Sequence, residues 1–430
     1  MFTLWLSLAC RPKVDHNPHV PPLHVVWGDL HAHTNLSHDG CEEPDRGCTS
    51  GARLPGTSFF AEAEARGLAF AALTDHAEVS AWASPADQLD AWAHTLELVS
   101  VAEGLEVIPL VGYEWTGRYP AGDDRSEWRG GHRTVVFESP SPCETARIPG
   151  SVPRVRKPSG AETNTFRSDV AADPATLEAR LAAAMETEAC TGRVLSWFHH
   201  PSTNRPPGVD WAHPSNQVAG DRLVEMLSEH GSFECHDTSA PGCGWRVPES
   251  IEPRGSVRRA LARARPLGFV GGTDAHDALP GSLDDGGGPV AEPSARGWTS
   301  HPYPGGITGV FVEGALTRAT LFDALERRAT VAGSFPLRGL VVDAHDAQGQ
   351  PVLPGATLRD EQWPLTVEVR HDDSRAAQTD IELIEDGVVT TMKGRLTITR
   401  PKRASYLRIR LDLDGVEERV FVSPWFRERP

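Results

Sequence analysis

Short, unbroken apolar runs recur from Leu23 to Val312, each closed by a polar turn. They are Leu23–Trp27, Leu68–Leu73, Val107–Val111, His132–Phe137, Val194–Phe198, Leu223–Leu227, Phe269–Val270 and Ile307–Val312. Segments of helical spacing fall between many of them. Leu89, Trp92, Leu96 and Val99 share one side of 88–103, and Leu177, Leu181 and Met185 share one side of 175–189. Shorter helices are expected at 58–66, 256–265 and 320–328. Runs that are apolar throughout, not alternating, suit strands buried on both faces. The repeated strand-then-helix order predicts a parallel α/β barrel or a close relative, with an open doubly wound sheet as the competing fold.

The pattern changes near Phe335. Beyond it, Leu365–Val369, Thr379–Leu383, Arg395–Ile398, Tyr406–Leu411 and Glu418–Val422 alternate in character. They are divided by turns such as Glu385-Asp-Gly387 and Leu413-Asp-Gly415. This predicts a small antiparallel β-sandwich. The expected division is a leading segment 1–22, a barrel domain 23–334 and a sandwich 335–430 that supports the barrel.

Composition narrows the function. The 430 residues suffice for one large and one small domain, and the formal net charge of −17 disfavours a nucleic-acid backbone binder. It leaves room for a small phosphate-bearing substrate, because a metal cluster inverts the charge locally. Met1–Cys10 is apolar and ends in Ser-Leu-Ala-Cys, like a clipped secretion signal with a lipid-attachment cysteine at Cys10, although no basic residue precedes it. A frayed or buried first segment is the alternative. Nothing else approaches a transmembrane span. Cys41 with Cys48 and Cys235 with Cys243 bracket short loops, leaving Cys143 with Cys190. Two such loops point to disulfides and an extracytoplasmic location, against reduced cysteines in a cytoplasm.

Candidate chemistry lies where the apolar runs stop. The residues there are Asp29, His31, His33, Asp39, Asp75, His76, Glu114, His132, His199 or His200, Asp274 and His276. Two imidazoles two residues apart at a strand end point the same way. In a barrel all these strand ends meet at one mouth, where imidazole and carboxylate together suit zinc, iron or manganese. Singly each has a plain explanation: Asp75-His76 as a helix cap, Glu114 in an ion pair, His132 as a packed core histidine. Arg133 and Arg205 are candidate grips for a phosphoryl or carboxylate group, and Glu234 a candidate for holding a loop or a water near the ions.

These motifs resemble the polymerase-and-histidinol-phosphatase (PHP) superfamily of metal-dependent phosphoesterases over about residues 23–333. The resemblance rests on His31-x-His33, Asp39 or its alternative His38, Asp75-His76, the isolated Glu114, Gly131-His132, His200-Pro201 and Asp274-x-His276. Gly112-Tyr-Glu-Trp115, Trp197-Phe-His-His-Pro201 and Ser423-Pro-Trp425 are similar to a group within it, the domains of unknown function DUF3604. The cysteine loop after Asp39 and the insertion at 139–172 depart from the family core.

The resemblance implies a distorted seven-stranded (β/α)7 barrel holding two or three divalent ions. It assigns His31, His33, Glu114 and Asp274 to one ion, Glu114, His132 and His200 to a second, and Asp39, His76 and His276 to a third. Asp29, Asp75 and His199 then orient ligands. The expected activity is hydrolysis, with a water shared by two ions attacking phosphorus and Glu114 and Asp274 at the centre of the chemistry. The alternatives are attack on an amide or ester carbonyl, and a noncatalytic module whose sandwich binds a polymer.

Overall fold

The computed structural model describes residues 23–34, 37, 58–77, 85–117, 131–143, 155–156, 162–163, 173–187, 190–203, 208–248, 251–276, 278–283, 303–392, 395–413 and 415–428. The fold is mixed α/β, with a large, mostly antiparallel sheet and a smaller three-stranded one. The large sheet runs from Gly268–Gly271 through Leu223–Ser228, Val194–His199, His132–Phe137, Ile108–Thr116 and Phe70–Leu73 to the opening strand Leu23–Ala32. It continues through Ile307–Glu313, Thr330–Gly333 and Val416–Arg427 to Ala404–Leu413, Ala376–Glu385 and Val388–Met392.

Strand direction differs in part from the parallel expectation. Leu23–Ala32, Phe70–Leu73 and Ile108–Thr116 are parallel, as are Val194–His199, Leu223–Ser228 and Gly268–Gly271. His132–Phe137, however, runs antiparallel to both neighbours, and Ile307–Glu313 antiparallel to the opening strand. An unbroken apolar run reports burial on both faces and carries no information on direction. The stretch 117–131, which leads into His132–Phe137, is polar and has no apolar stripe for a crossover helix to bury.

The sheet curls back on itself. The chain leaving Gly268–Gly271 bridges the opening strand, with Asp274 N–H donating to His31 O at 2.8 Å and His33 N–H to Ala275 O at 2.8 Å. Alternation along the strands then sorts side chains between two faces. Val111, Tyr113 and Trp115 pack with Val135, Phe137 and the helix residues Trp92, Val99, Leu177 and Leu181. On the other face Leu110, Val136, Leu195, Trp197, Leu223 and Val270 share an apolar core. Farther along that same face the residues become Glu114, His132, His199 and Glu225. One concave surface therefore has an apolar floor and a polar end.

The C-terminal strands join this sheet through Val416–Arg427, which pairs with Thr330–Gly333. The small sheet, Val341–His345, Leu365–Arg370 and Arg395–Ile398, shares a core with them through Val342, Val367, Ile398, Leu383, Ile409 and Val420. Disulfides join Cys143 to Cys190 and Cys235 to Cys243, while Cys41, Cys48 and Cys10 lie outside the described residues. Among the described residues no helix is long and apolar enough to cross a membrane.

Candidate metal centre

Register brings distant residues together. Glu114 stands opposite Thr134 and bridges alongside His76, and His132 stands opposite His199. The contact between Asp274 and His31 adds the opening strand. Two members occupy left-handed backbone: His200 at φ 30° and Asp274 at φ 60°. Side chains other than glycine rarely adopt it, and such strain concentrates where a site demands it. Gly272 has no latitude either, because a Cβ there would stand 2.5 Å from His31 Cβ.

The largest group is His31, His33, Glu114 and Asp274, all buried. His31 Nε2 lies 3.1 Å from Asp274 Oδ1 and 3.4 Å from Glu114 Oε2. His33 Nε2 lies 3.2 Å from Asp274 Oδ1, 3.3 Å from Glu114 Oε2 and 3.2 Å from His31 Nε2. Ligand atoms about 2.1 Å from a tetrahedral ion stand about 3.4 Å from one another, so these five separations fit one cation among four donors.

The second oxygen of Glu114 makes a short contact with His132 Nδ1, and Glu114, His132 and His200 form a second group of converging ligand atoms. His76 Nδ1 lies 3.5 Å from Glu114 Oε2, and His33, His76 and His276 form a third. These clusters can chelate metal ions, as a metal-dependent enzyme requires.

The rings are fixed from behind. Thr134 Oγ1 lies 2.9 Å from His31 Nδ1, Ser37 Oγ 2.8 Å from His33 Nδ1 and Thr203 Oγ1 3.1 Å from His200 Nδ1. Asp29 accepts from the backbone N–H of His31 at 3.0 Å, Thr273 at 3.1 Å and Gly281 at 2.9 Å, which ties the two ligand-bearing strand ends together. Asp75 accepts from Thr34 N–H at 2.7 Å, Thr34 Oγ1 at 2.7 Å and Ser37 Oγ at 2.9 Å. Replacing Asp75 by Ala is expected to release the turn that carries His33 and Ser37 and to weaken metal binding about 10- to 100-fold, with the fold retained. Titration with a chromophoric chelator measures this; unchanged affinity would remove Asp75 from that role.

Electrostatics match the geometry. Burial opposes ionisation of Glu114, but His76, His132 and His199 outweigh it and hold the carboxyl well below its ordinary range. Asp274 is likewise held low, against burial, by His199, His230 and His31. Burial, reinforced by His199, His132 and His230, pushes His200 well below the ordinary imidazole value, while burial and His276 push His33 down. His31 and His199 shift the other way: against burial, Asp274 and Glu114 raise His31 well above the ordinary imidazole value and Glu225 raises His199, so a bound divalent ion would take the place of protons on these two rings.

Two candidates are engaged away from the cluster, and three lie outside the described residues. Arg133 follows His132 by one residue and so faces the opposite side of its strand. It is fully buried there, donating to Asp221 at 2.6 Å, Ser196 at 2.7 Å and Glu178 at 3.1 Å, and stands away from the cluster. Glu234 also points elsewhere, to Arg258, Tyr406 and Arg408. Asp39, His38 and Arg205 lie outside the described residues.

The sequence reading passed over Glu229, His230 and Glu225. His230 Nε2 lies 3.3 Å from Asp274 Oδ2, and Glu229 Oε1 3.4 Å from His276 Nδ1. Burial pushes the Glu229 carboxyl up to about 7, against its contact with His276. The signal was present: Glu229-His230 follows Leu223–Ser228 directly, just as the other ligand candidates follow their strands. His199 also enters the cluster, its Nε2 3.2 Å from Asp274 Oδ2. Compared with protein-family models, with curated proteins and with solved structures, the chain matches none of them.

Proposed function

We propose that the chain is a metal-dependent hydrolase of the PHP type, acting on a small phosphoester. The observation that carries this reading is the set of five separations, 3.1 to 3.4 Å, among His31, His33, Glu114 and Asp274. Two carboxylates and two imidazoles at tetrahedral spacing, all buried, offer one divalent cation a full set of donors. Under this reading Glu114 and Asp274 face the first ion, His132 and His200 with Glu114 hold a second, and His76 and His276 hold a third together with Asp39. Zinc, manganese and iron all suit such donors.

Bound divalent ions supply an acidified water and neutralise charge building on the phosphoryl oxygens. The chain's own part is to present the donors in fixed tautomers. Thr134, Ser37 and Thr203 hold the rings, and the carboxylates stay ionised. With Arg133 committed elsewhere, Arg205 is the remaining basic residue proposed to grip the substrate. The curled sheet is read as the distorted barrel and residues 335–430 as a supporting β domain. The two disulfides support placing the protein outside the cytoplasm.

Removing metal tests the proposal. The purified chain should carry divalent ions, hydrolyse phosphomonoesters or diesters, lose turnover after chelation and regain it with manganese, zinc or iron. Turnover of amides or carboxylic esters with phosphoesters inert would move the assignment to carbonyl chemistry. A chain that binds no metal under any of these conditions would end it.

A further inference from the structure

The turn after Leu223–Ser228 brings a histidine to the site that the three groups just proposed do not use. Asp274 has two working faces. Its Oδ1 meets His31 and His33, at 3.1 and 3.2 Å. Its Oδ2 meets His199 Nε2 at 3.2 Å and His230 Nε2 at 3.3 Å. One ring nitrogen from each of His199, His200 and His230 lies within 4.8 Å of the other two, and all three residues are buried.

His199 is prepared as a donor. Its Nδ1 lies 2.8 and 2.9 Å from the two oxygens of Glu225, and both side chains are only 1% exposed. A carboxylate that accepts the Nδ1–H of an imidazole fixes the ring, here with Nε2 turned towards Asp274 as the nitrogen a cation would take. The turn bearing His230 is also fixed: Glu229 N–H donates to Thr273 O at 3.3 Å, and Tyr303 N–H to Glu229 O at 3.3 Å. The first of these bonds ties it to the loop that carries Asp274.

We propose that His199, His230 and Asp274 Oδ2 hold a further divalent cation of the imidazole-preferring class, such as zinc, next to the His31–His33 site. Asp274 bridges the two sites, one oxygen to each. Glu225 is a positioning residue that acts through His199. The proposal rests on reading the cluster as a metal centre, but it adds a site and a residue, His230, to that reading.

Anomalous scattering from crystals of the full chain grown with zinc tests it. The expected map has a zinc peak about 2.1 Å from His199 Nε2, His230 Nε2 and Asp274 Oδ2, besides a peak among His31, His33 and Glu114. In solution, His230→Gln should carry one zinc fewer per chain than the parent and keep the peak at His31 and His33. Glu225→Gln should bind that zinc about 10- to 100-fold more weakly. If His230→Gln does not fold, the parent map decides alone. A peak at His31 and His33 with none between His199 and His230 overturns this site and leaves the proposed function standing. An unchanged zinc count in folded His230→Gln also overturns it. Zinc at neither place overturns both.

Discussion

Replacing Glu114 by Gln is expected to lower kcat/KM by about three orders of magnitude, roughly 4 kcal/mol of transition-state stabilisation. The size follows from its position. One oxygen of Glu114 faces His31, His33 and His76, and the other faces His132. Each proposed ion that it touches therefore loses a charged donor in one substitution. An amide keeps the shape and one acceptor oxygen but offers N–H groups to imidazole nitrogens that need a cation. Metal analysis should show reduced occupancy alongside the lost turnover. Full metal content with turnover within tenfold of the parent would refute a central role for Glu114. Stability of the metal-free form should fall, because the depressed Glu114 carboxyl shows that its charge is favourably paired with His76, His132 and His199.

The largest effect on stability is expected far from the metal cluster, at Arg408. Its side chain is fully buried, donating to Glu234 at 2.7 Å and to Glu382 at 2.6 Å. Arg258 and Tyr406 complete the surroundings of Glu234. Arg408→Ala takes one of two arginines from each of two buried carboxylates, leaving Glu234 with Arg258 and Glu382 with Arg410, and should cost about 3 kcal/mol, the lower end of the penalty for breaking a buried pair from one side. Denaturant unfolding in metal-free buffer measures it. A loss below about 1 kcal/mol would show that the network is well hydrated and adds little.

The same network gives a pH signature. Burial would raise the Glu234 carboxyl, but Arg408 and Arg258 outweigh burial and hold it below its ordinary 4.5. A carboxyl with a depressed folded pKa contributes stability above its unfolded pKa and loses that contribution as pH falls through the folded value. The gap between parent and Arg408→Ala should therefore be full near neutrality and shrink as pH drops below about 4.5.

Much of the metal cluster is readable in the chain because strand ends announce themselves. His132 opens its run and reaches Glu114 because that strand is antiparallel, while His31, His33, Glu114 and Asp274 each follow or close an apolar run and lie within ligand distance of one another. His230 obeys the same rule. Glu234, also beyond Leu223–Ser228, pairs instead with Arg258, Tyr406 and Arg408, since position after a strand does not report which way a side chain points. Arg133 shows the same limit from the other side. Adjacency to His132 in sequence means opposite faces in a strand, so a neighbour of a candidate ligand is placed away from it.

The sequence by itself determined where most strands and helices form, though not Thr330–Gly333, Val341–His345 or Val388–Met392, because burial on two faces writes unbroken apolar runs and burial on one face writes periodic ones. It also determined which residue types stand at the strand ends, and hence the kind of ion they suit. Strand direction, the continuity of the sheet through Thr330–Gly333 into Val416–Arg427, and the pairing of Glu234 with Arg408 were decided only in the tertiary structure. Each depends on contacts between residues tens to hundreds of positions apart, which local patterning does not encode. The two faces of Asp274 belong to the same class. Which oxygen meets which histidine is set by a left-handed turn at φ 60° and by the sheet curling back to bring Asp274 beside His31.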